Sequence, residues 1–175
     1  MEGNIEFLEL AKKRYSCRSF TDKVVDEITL NKILEAARIA PTARNRQPQK
    51  LYVITKKEDL AKIDVVTKCR YNAPMVIAIG YDKEVVSAIP SFENRNFGDI
   101  DTSIVITHMI LQAEELGVQT CWVGAYEHGK AEQVLGIPAN VELTALLPIG
   151  YAAENGQPSE RHTDRKAIAE TVEYL

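Results

Sequence analysis

Two short segments hold most of the side chains with chemical potential. The first, Arg14-Tyr15-Ser16-Cys17-Arg18-Ser19-Phe20, places two guanidiniums four residues apart with hydroxyls between them. Arginine makes forked, charge-assisted bonds to oxygens, so this segment could grip a phosphate and a second electron-rich group. A solvated basic helix end, favoured by the helix dipole, would look the same. The second segment is Ala40-Pro41-Thr42-Ala43-Arg44-Asn45-Arg46-Gln47-Pro48-Gln49. Small Thr42 and Ala43 let the backbone approach a flat ligand, and the amides of Asn45 and Gln47 offer donors and acceptors to imide and carbonyl edges. A plain loop of turn-forming residues is the competing reading.

Other reactive residues point to less. Cys17, Cys69 and Cys121 are an odd number without a CxxC pair, which indicates neither a disulfide framework nor a zinc ribbon and suits a reducing compartment. Cys17, between two arginines, invites a lowered thiol pKa. His128 and His162 lie in polar stretches without a matching ligand set, and His108 sits within an apolar helix as a hydrogen-bonded interior or interface residue. Cys121 and Trp122 read as core or interface residues.

With 175 residues, 45% apolar and 26% charged, the chain fits one domain, 1–175, large enough to bury roughly 70% of its unfolded surface. A formal charge of −4 without a clustered basic face argues against nucleic-acid binding, which needs many phosphate-neutralising cations. No apolar run reaches bilayer length, so no membrane partner is expected. The opening Met1-Glu2-Gly3-Asn4-Ile5-Glu6 shows no basic leader, and a cytoplasmic location is the expectation.

The elements that must position the two segments follow from periodicity. A short charged helix is expected over Glu6–Lys13. A second helix starts at an Asp26 N-cap, carries Leu30, Ile33, Leu34 and Ala37 on one face, and stops at Pro41. Strands are expected at Leu51–Ile54, Met75–Ile79, Val118–Tyr126 and Leu143–Tyr151, and helices at Lys57–Lys68 and Lys130–Leu135. From Asp99 or Asp101 to Leu116 the pattern is apolar almost all round, ending at Gly117, so that helix is central or covered by a second subunit. The polar tail Ala152–Thr163, followed by Arg165, reads as an arm. Interleaved helices and strands favour a sheet between helical layers, and the absence of GxGxxG and GxxxxGK[ST] argues against a nucleotide-binding fold of the common kinds.

In order along the chain, Arg14-x-Ser16-x-Arg18-x-Phe20, Ala40-Pro41-Thr42-x-x-Asn45-x-Gln47-Pro48, the long apolar helix, Leu116-Gly117-x-x-x-Cys121-Trp122-x-Gly124, Leu135-Gly136-Ile137-Pro138 and Gly150-Tyr151 resemble the FMN-dependent nitroreductase family. Thr42 stands where the family usually has serine, and Gln49 where it commonly has an aromatic. The resemblance implies a three-layer α+β fold, a mixed, mainly antiparallel sheet flanked by helices, in an intertwined homodimer with FMN at the interface. It implies that Arg14, Tyr15 and Ser16 meet the FMN phosphate or ribityl chain and that Arg18 lies by the pyrimidine edge. Pro41, Thr42 and Ala43 would line the ring from the neighbouring subunit, with Asn45 and Gln47 at its polar edges. Backbone groups around Val123 and Gly124 would face N5, and Arg161 or Arg165 would close on the phosphate. The implied activity is ping-pong hydride transfer from NAD(P)H to nitroaromatics, quinones or similar acceptors, without a catalytic side chain and without a metal. A flavin-delivery protein with little turnover, or a specialised flavin reaction on the same scaffold, stays open.

Overall fold

The structure is a computed structural model that describes residues 6–87 and 97–175; the opening residues Met1–Ile5 lie outside it. Five helices, α1 (Phe7–Lys13), α2 (Glu27–Ile39), α3 (Lys57–Val66), α4 (Phe97–Glu115) and α5 (Lys130–Leu135), surround four strands. These are β1 (Gln49–Ile54), β2 (Met75–Asp82), β3 (Gln119–Thr120) and β4 (Val141–Gly150), ordered β1-β2-β4-β3 with every named pair antiparallel. The expected mixed sheet is therefore antiparallel among its strands. One parallel contact exists, a single bridge between Ser16 and Thr120.

The local causes are those of the residue types. The Thr29 N–H donates to Asp26 Oδ1 at 2.9 Å, satisfying one orphan donor at the start of α2. Ala40, in extended conformation before Pro41, ends that helix as the proline ring requires. Gly117, at φ 71°, takes the left-handed position after α4 while the Val118 N–H reaches back to the Ala113 carbonyl at 2.8 Å.

All eight residues of β2 are buried because both faces are covered. Met75, Ile77 and Ile79 meet Ile33 and Ala37 of α2 and Val105, Ile106 and Met109 of α4, whereas Val76 and Ala78 face Leu60 and Ile63 of α3 and Ala131 of α5. Helices thus lie on both sides of the sheet. Ile79 pairs with Ala145 but Gly80 with Leu143, so Thr144 is an extra residue in β4. This bulge aims the Thr144 hydroxyl at α4, 2.8 Å from Thr102 Oγ1 and 3.1 Å from Asp99 Oδ1. At Gly80 a Cβ would sit 2.1 Å from the Glu142 carbonyl oxygen, so only glycine admits this approach.

One expected strand is broken. Of Val118–Tyr126, only Gln119 and Thr120 form β3, and Val123 adds a separate bridge to Leu146. The Cys121 N–H donates to the Pro148 carbonyl at 3.1 Å, but a proline nitrogen has no hydrogen to return. The ladder lapses there. Trp122 emerges 37% exposed rather than in the core. Helix α4 is central on one side, but Ile100 is 41% exposed and Ile104, His108 and Leu111 along the same stripe are only partly covered. The His108 Nδ1 lies 2.9 Å from the Ile104 carbonyl of its own helix. Among the described residues, no helix is long and apolar enough to cross a membrane.

Candidate functional site

The Arg14–Phe20 segment runs beside β3. The Cys17 N–H donates to the Thr120 carbonyl at 2.9 Å, which fixes Ser16 and Arg18 with respect to the sheet. The tail docks on the same segment: Phe20 bridges Ala152, the Ala153 N–H donates to the Ser19 carbonyl at 3.0 Å, and the Tyr15 hydroxyl donates to the Gly156 carbonyl at 2.8 Å. Burial, followed by the neighbouring Cys17, pushes the Tyr15 hydroxyl up to about 12, so it stays protonated and holds the tail. Gly156 allows the contact, since a Cβ there would lie 2.5 Å from the Ser19 carbonyl oxygen.

This docking closes a cavity of about 210 Å³ lined by Arg14, Tyr15, Ser16 and Arg18 from one end of the chain and Ser159, Arg161, His162 and Arg165 from the other. Among the described residues, four guanidiniums line it and no carboxylate does. Such a wall attracts a compact anion. Arg161 and Arg165 both take part, but the Arg165 guanidinium donates to the Asp164 and Arg161 carbonyls at 2.6 and 3.3 Å. Arg18 is exposed, reaches the Ser16 carbonyl at 3.4 Å, and lies by Tyr71. The Tyr71 hydroxyl is pushed up by Cys69 and by burial, and Arg18 pulls it the other way.

Cys17 is not the activated thiol its neighbours suggest. It is fully buried, burial pushes its pKa up, and its Sγ donates to the Ser19 carbonyl at 3.1 Å. Burial pushes up Cys121 as well.

The Pro41–Gln47 loop stands elsewhere, at the far edge of the sheet where it enters β1. Arg44, Asn45 and Gln47 all adopt positive φ, between 52° and 54°, which is unusual for residues with a side chain. The Asn45 N–H donates to the Thr42 carbonyl at 2.9 Å, the Gln47 N–H to Thr42 Oγ1 at 3.0 Å, and the Ala43 N–H to Asp101 Oδ1 at 2.8 Å. Pro41, Asn45 and Gln47 are exposed, and Thr42 and Ala43 are partly so.

Within one chain these two groups do not meet. The first lies beyond β3 and the second leads into β1, three strand spacings or about 14 Å apart at least. Along α4, Asp101 holds the loop near one end while Glu114, 3.5 Å from Lys13, marks the arginine segment at the other, about 20 Å away at 1.5 Å per residue. Val123 and Gly124 divide their roles. The Val123 N–H and carbonyl both pair with Leu146 at 2.9 Å, so they are spent on the sheet, while Gly124 is exposed with open space around its Cα.

The nitroreductase family model matches residues 11–70 and 70–151, which includes both segments. The chain belongs to the nitroreductase family. A nitroreductase family protein of Clostridium difficile, of known crystal structure, is 42% identical, with a TM-score of 0.90 over 97% of this chain and 98% of its own. A protein of Methanothermobacter thermautotrophicus, provisionally described as a NADH dehydrogenase/NAD(P)H nitroreductase, is 32% identical over 87% of this chain and 81% of that one. The nitroreductase fold also extends to an Exiguobacterium sibiricum protein solved in complex with FMN, at 23% identity and a TM-score of 0.83, covering 99% of both chains.

In this nitroreductase-family chain, three residues near the two groups escape sequence reading. Ser159 and His162 line the cavity, and His162 meets Tyr15 edge-on with ring centroids 6.2 Å apart. Only their closeness to Arg161 in a polar tail hints at this. Asp101 had a plainer signal, a carboxylate inside an apolar helix. Among the described residues, no cluster of His, Cys, Asp and Glu could hold a metal ion.

Proposed function

We propose that this nitroreductase-family protein, acting as one domain over 1–175, is an FMN-dependent NAD(P)H oxidoreductase. It works as a homodimer and reduces nitroaromatics, quinones or comparably electron-poor acceptors. The observation that carries this reading is the cavity walled by Arg14, Arg18, Arg161 and Arg165, with no opposing acid among the described residues. That donor set fits the phosphate end of FMN, and the uncharged Pro41–Ala43 backbone with the Asn45 and Gln47 amides fits its ring.

Arg14, Ser16 and Arg161 would hold the phosphate, with Tyr15 keeping the tail in place. Arg18, an exposed member of the cavity wall that reaches toward Tyr71, would set a cation beside the pyrimidine edge, where it favours added negative charge. The Gly124 N–H would be the backbone donor on the ring's working face. Bound there, FMN would supply two-electron hydride chemistry through N5 for a ping-pong exchange between NAD(P)H and the acceptor. No side chain is assigned as acid or base; solvent can deliver the proton.

The separation of the two groups supports a dimer. Arg18 and Pro41–Ala43 would touch the same ring, yet within one chain the points of α4 that hold the loop and the arginine segment lie about 20 Å apart, which favours a loop contributed by a second copy. Exposed apolar side chains support that. Phe7 is 68% exposed on α1, and α4 keeps its uncovered apolar stripe.

The test is anaerobic. The purified protein should be yellow or become so with FMN, bleach on adding NADH or NADPH, and regain colour with a nitroaromatic or a quinone. Material that stays colourless in excess FMN would overturn the reading, and slow bleaching without reoxidation by any acceptor would favour flavin delivery.

A further inference from the structure

Asp101 is 1% exposed and the fifth residue of α4, a helix that packs its buried face against the core. A buried carboxyl is costly unless its oxygens are matched, and an aliphatic side chain would fill the same place without that cost. Yet Oδ1 has one partner, the Ala43 N–H at 2.8 Å, which lies far away in sequence, and Oδ2 is buried with none among the described residues. The loop it holds is strained. Three of its residues sit in the left-handed region, a conformation that persists only where surroundings over-determine it. Inside the loop, Thr42 accepts from Asn45 and Gln47 and so makes a closed turn. The loop's ends are held by buried Ala40 and by the Asp82 N–H bond to the Pro48 carbonyl, and between them, among the described residues, the hydrogen bond that ties the turn to another element is the one from Ala43 to Asp101.

We infer that Asp101 is a positioning residue that clamps the Pro41–Gln47 loop from the first turns of α4 and so presets the surface the loop offers to the flavin ring. This rests on the loop being ring-lining, as proposed above. Its consequence differs from that of the arginine cavity: losing Asp101 should damage recognition of the ring, and therefore of FMN and riboflavin alike, while losing a phosphate contact damages FMN alone.

The experiment titrates FMN and riboflavin into wild type, Asp101→Leu, Asp101→Asn and Thr42→Ala, reading flavin fluorescence quenching and the visible circular dichroism of bound flavin, with thermal unfolding in parallel. Leucine removes the acceptor at similar volume, and both ligands should weaken about tenfold, the loss expected for one bond to a charged group, with the dichroic band diminished. Asparagine keeps an acceptor oxygen and should restore both affinities to within about threefold. Thr42→Ala opens the turn without touching the core, and should weaken both ligands equally by a smaller factor. Three results overturn the inference: Asp101→Leu binding both ligands with wild-type affinity and dichroism, Asp101→Leu weakening FMN but not riboflavin, or Asp101→Leu losing its cooperative unfolding while Thr42→Ala binds as wild type. A wild type that binds no FMN overturns the functional reading, and this inference with it, and is recognised in the wild-type arm alone.

Discussion

The arginine cavity and the Pro41–Gln47 loop solve opposite problems. The cavity is assembled from residues at the two ends of the chain, held by Tyr15, Ala153 and the Phe20–Ala152 bridge, and what it presents is charge. Three of its four guanidiniums, those of Arg18, Arg161 and Arg165, belong to exposed residues. The loop is local, presents shape, and owes that shape to strained dihedrals and one buried carboxylate. A site for charge can be loose and still bind, because Coulomb attraction falls off slowly; a site for a flat apolar ring has to be rigid before the ligand arrives.

The comparison breaks most visibly in a mixed dimer. Arg14→Ala/Arg161→Ala chains and Asn45→Ala/Gln47→Ala chains should each retain little FMN, but a heterodimer purified with two tags should hold about one flavin, half the wild-type complement. In a two-fold assembly one of its two sites then receives both intact regions. Zero flavin would mean that both regions serve the site from the same chain. Next in size, Arg14→Ala should weaken FMN roughly ten- to hundredfold and riboflavin by no more than about twofold, the signature of a lost charge-assisted phosphate contact. Added salt should weaken FMN in wild type and leave riboflavin nearly unchanged. Equal losses for both ligands would remove Arg14 from the phosphate.

Smaller effects sharpen the contrast. Arg18→Ala should make the bound flavin harder to reduce, moving its midpoint potential negative by roughly 30 mV, a tenfold change for a two-electron couple. An unchanged potential would take Arg18 away from the pyrimidine edge. On the loop side, burial raises the Asp101 pKa, so the neutral carboxyl is the better-tolerated form in the fold. The stability it confers is fully present below the ordinary carboxylate pKa and is lost as pH rises through the raised one. Asp101→Asn should therefore melt above wild type at pH 7, and the gap should close in acid. A gap that widened in acid would reverse the assignment.

How much of this was legible depends on whether the cause is local. The Asp26 cap and the Pro41 stop act on adjacent backbone, so α2 was readable to its ends. The run Met75–Ile79 announced a strand covered twice, because alternation vanishes when both faces are buried. The break after Thr120 was invisible, since its cause is Pro148, a residue on another strand. The same holds for the site. Arg14, Ser16 and Arg18 stand out by type and spacing, but a cavity formed with Ser159 and His162 needs the tail's path, which no periodicity encodes. Cys17 misled for a related reason: its sequence neighbours are cationic, while its spatial neighbours are Phe20 and Ala73.

Pro148 has a bearing on how the molecule could be altered. By withholding one hydrogen at the sheet margin, it leaves a single missing rung between Thr120 and Val123, with Cys121 and Val123 still tied to the sheet and Trp122 and Gly124 facing solvent. A residue with an amide hydrogen at 148 would supply that rung and turn the interrupted margin into a continuous border.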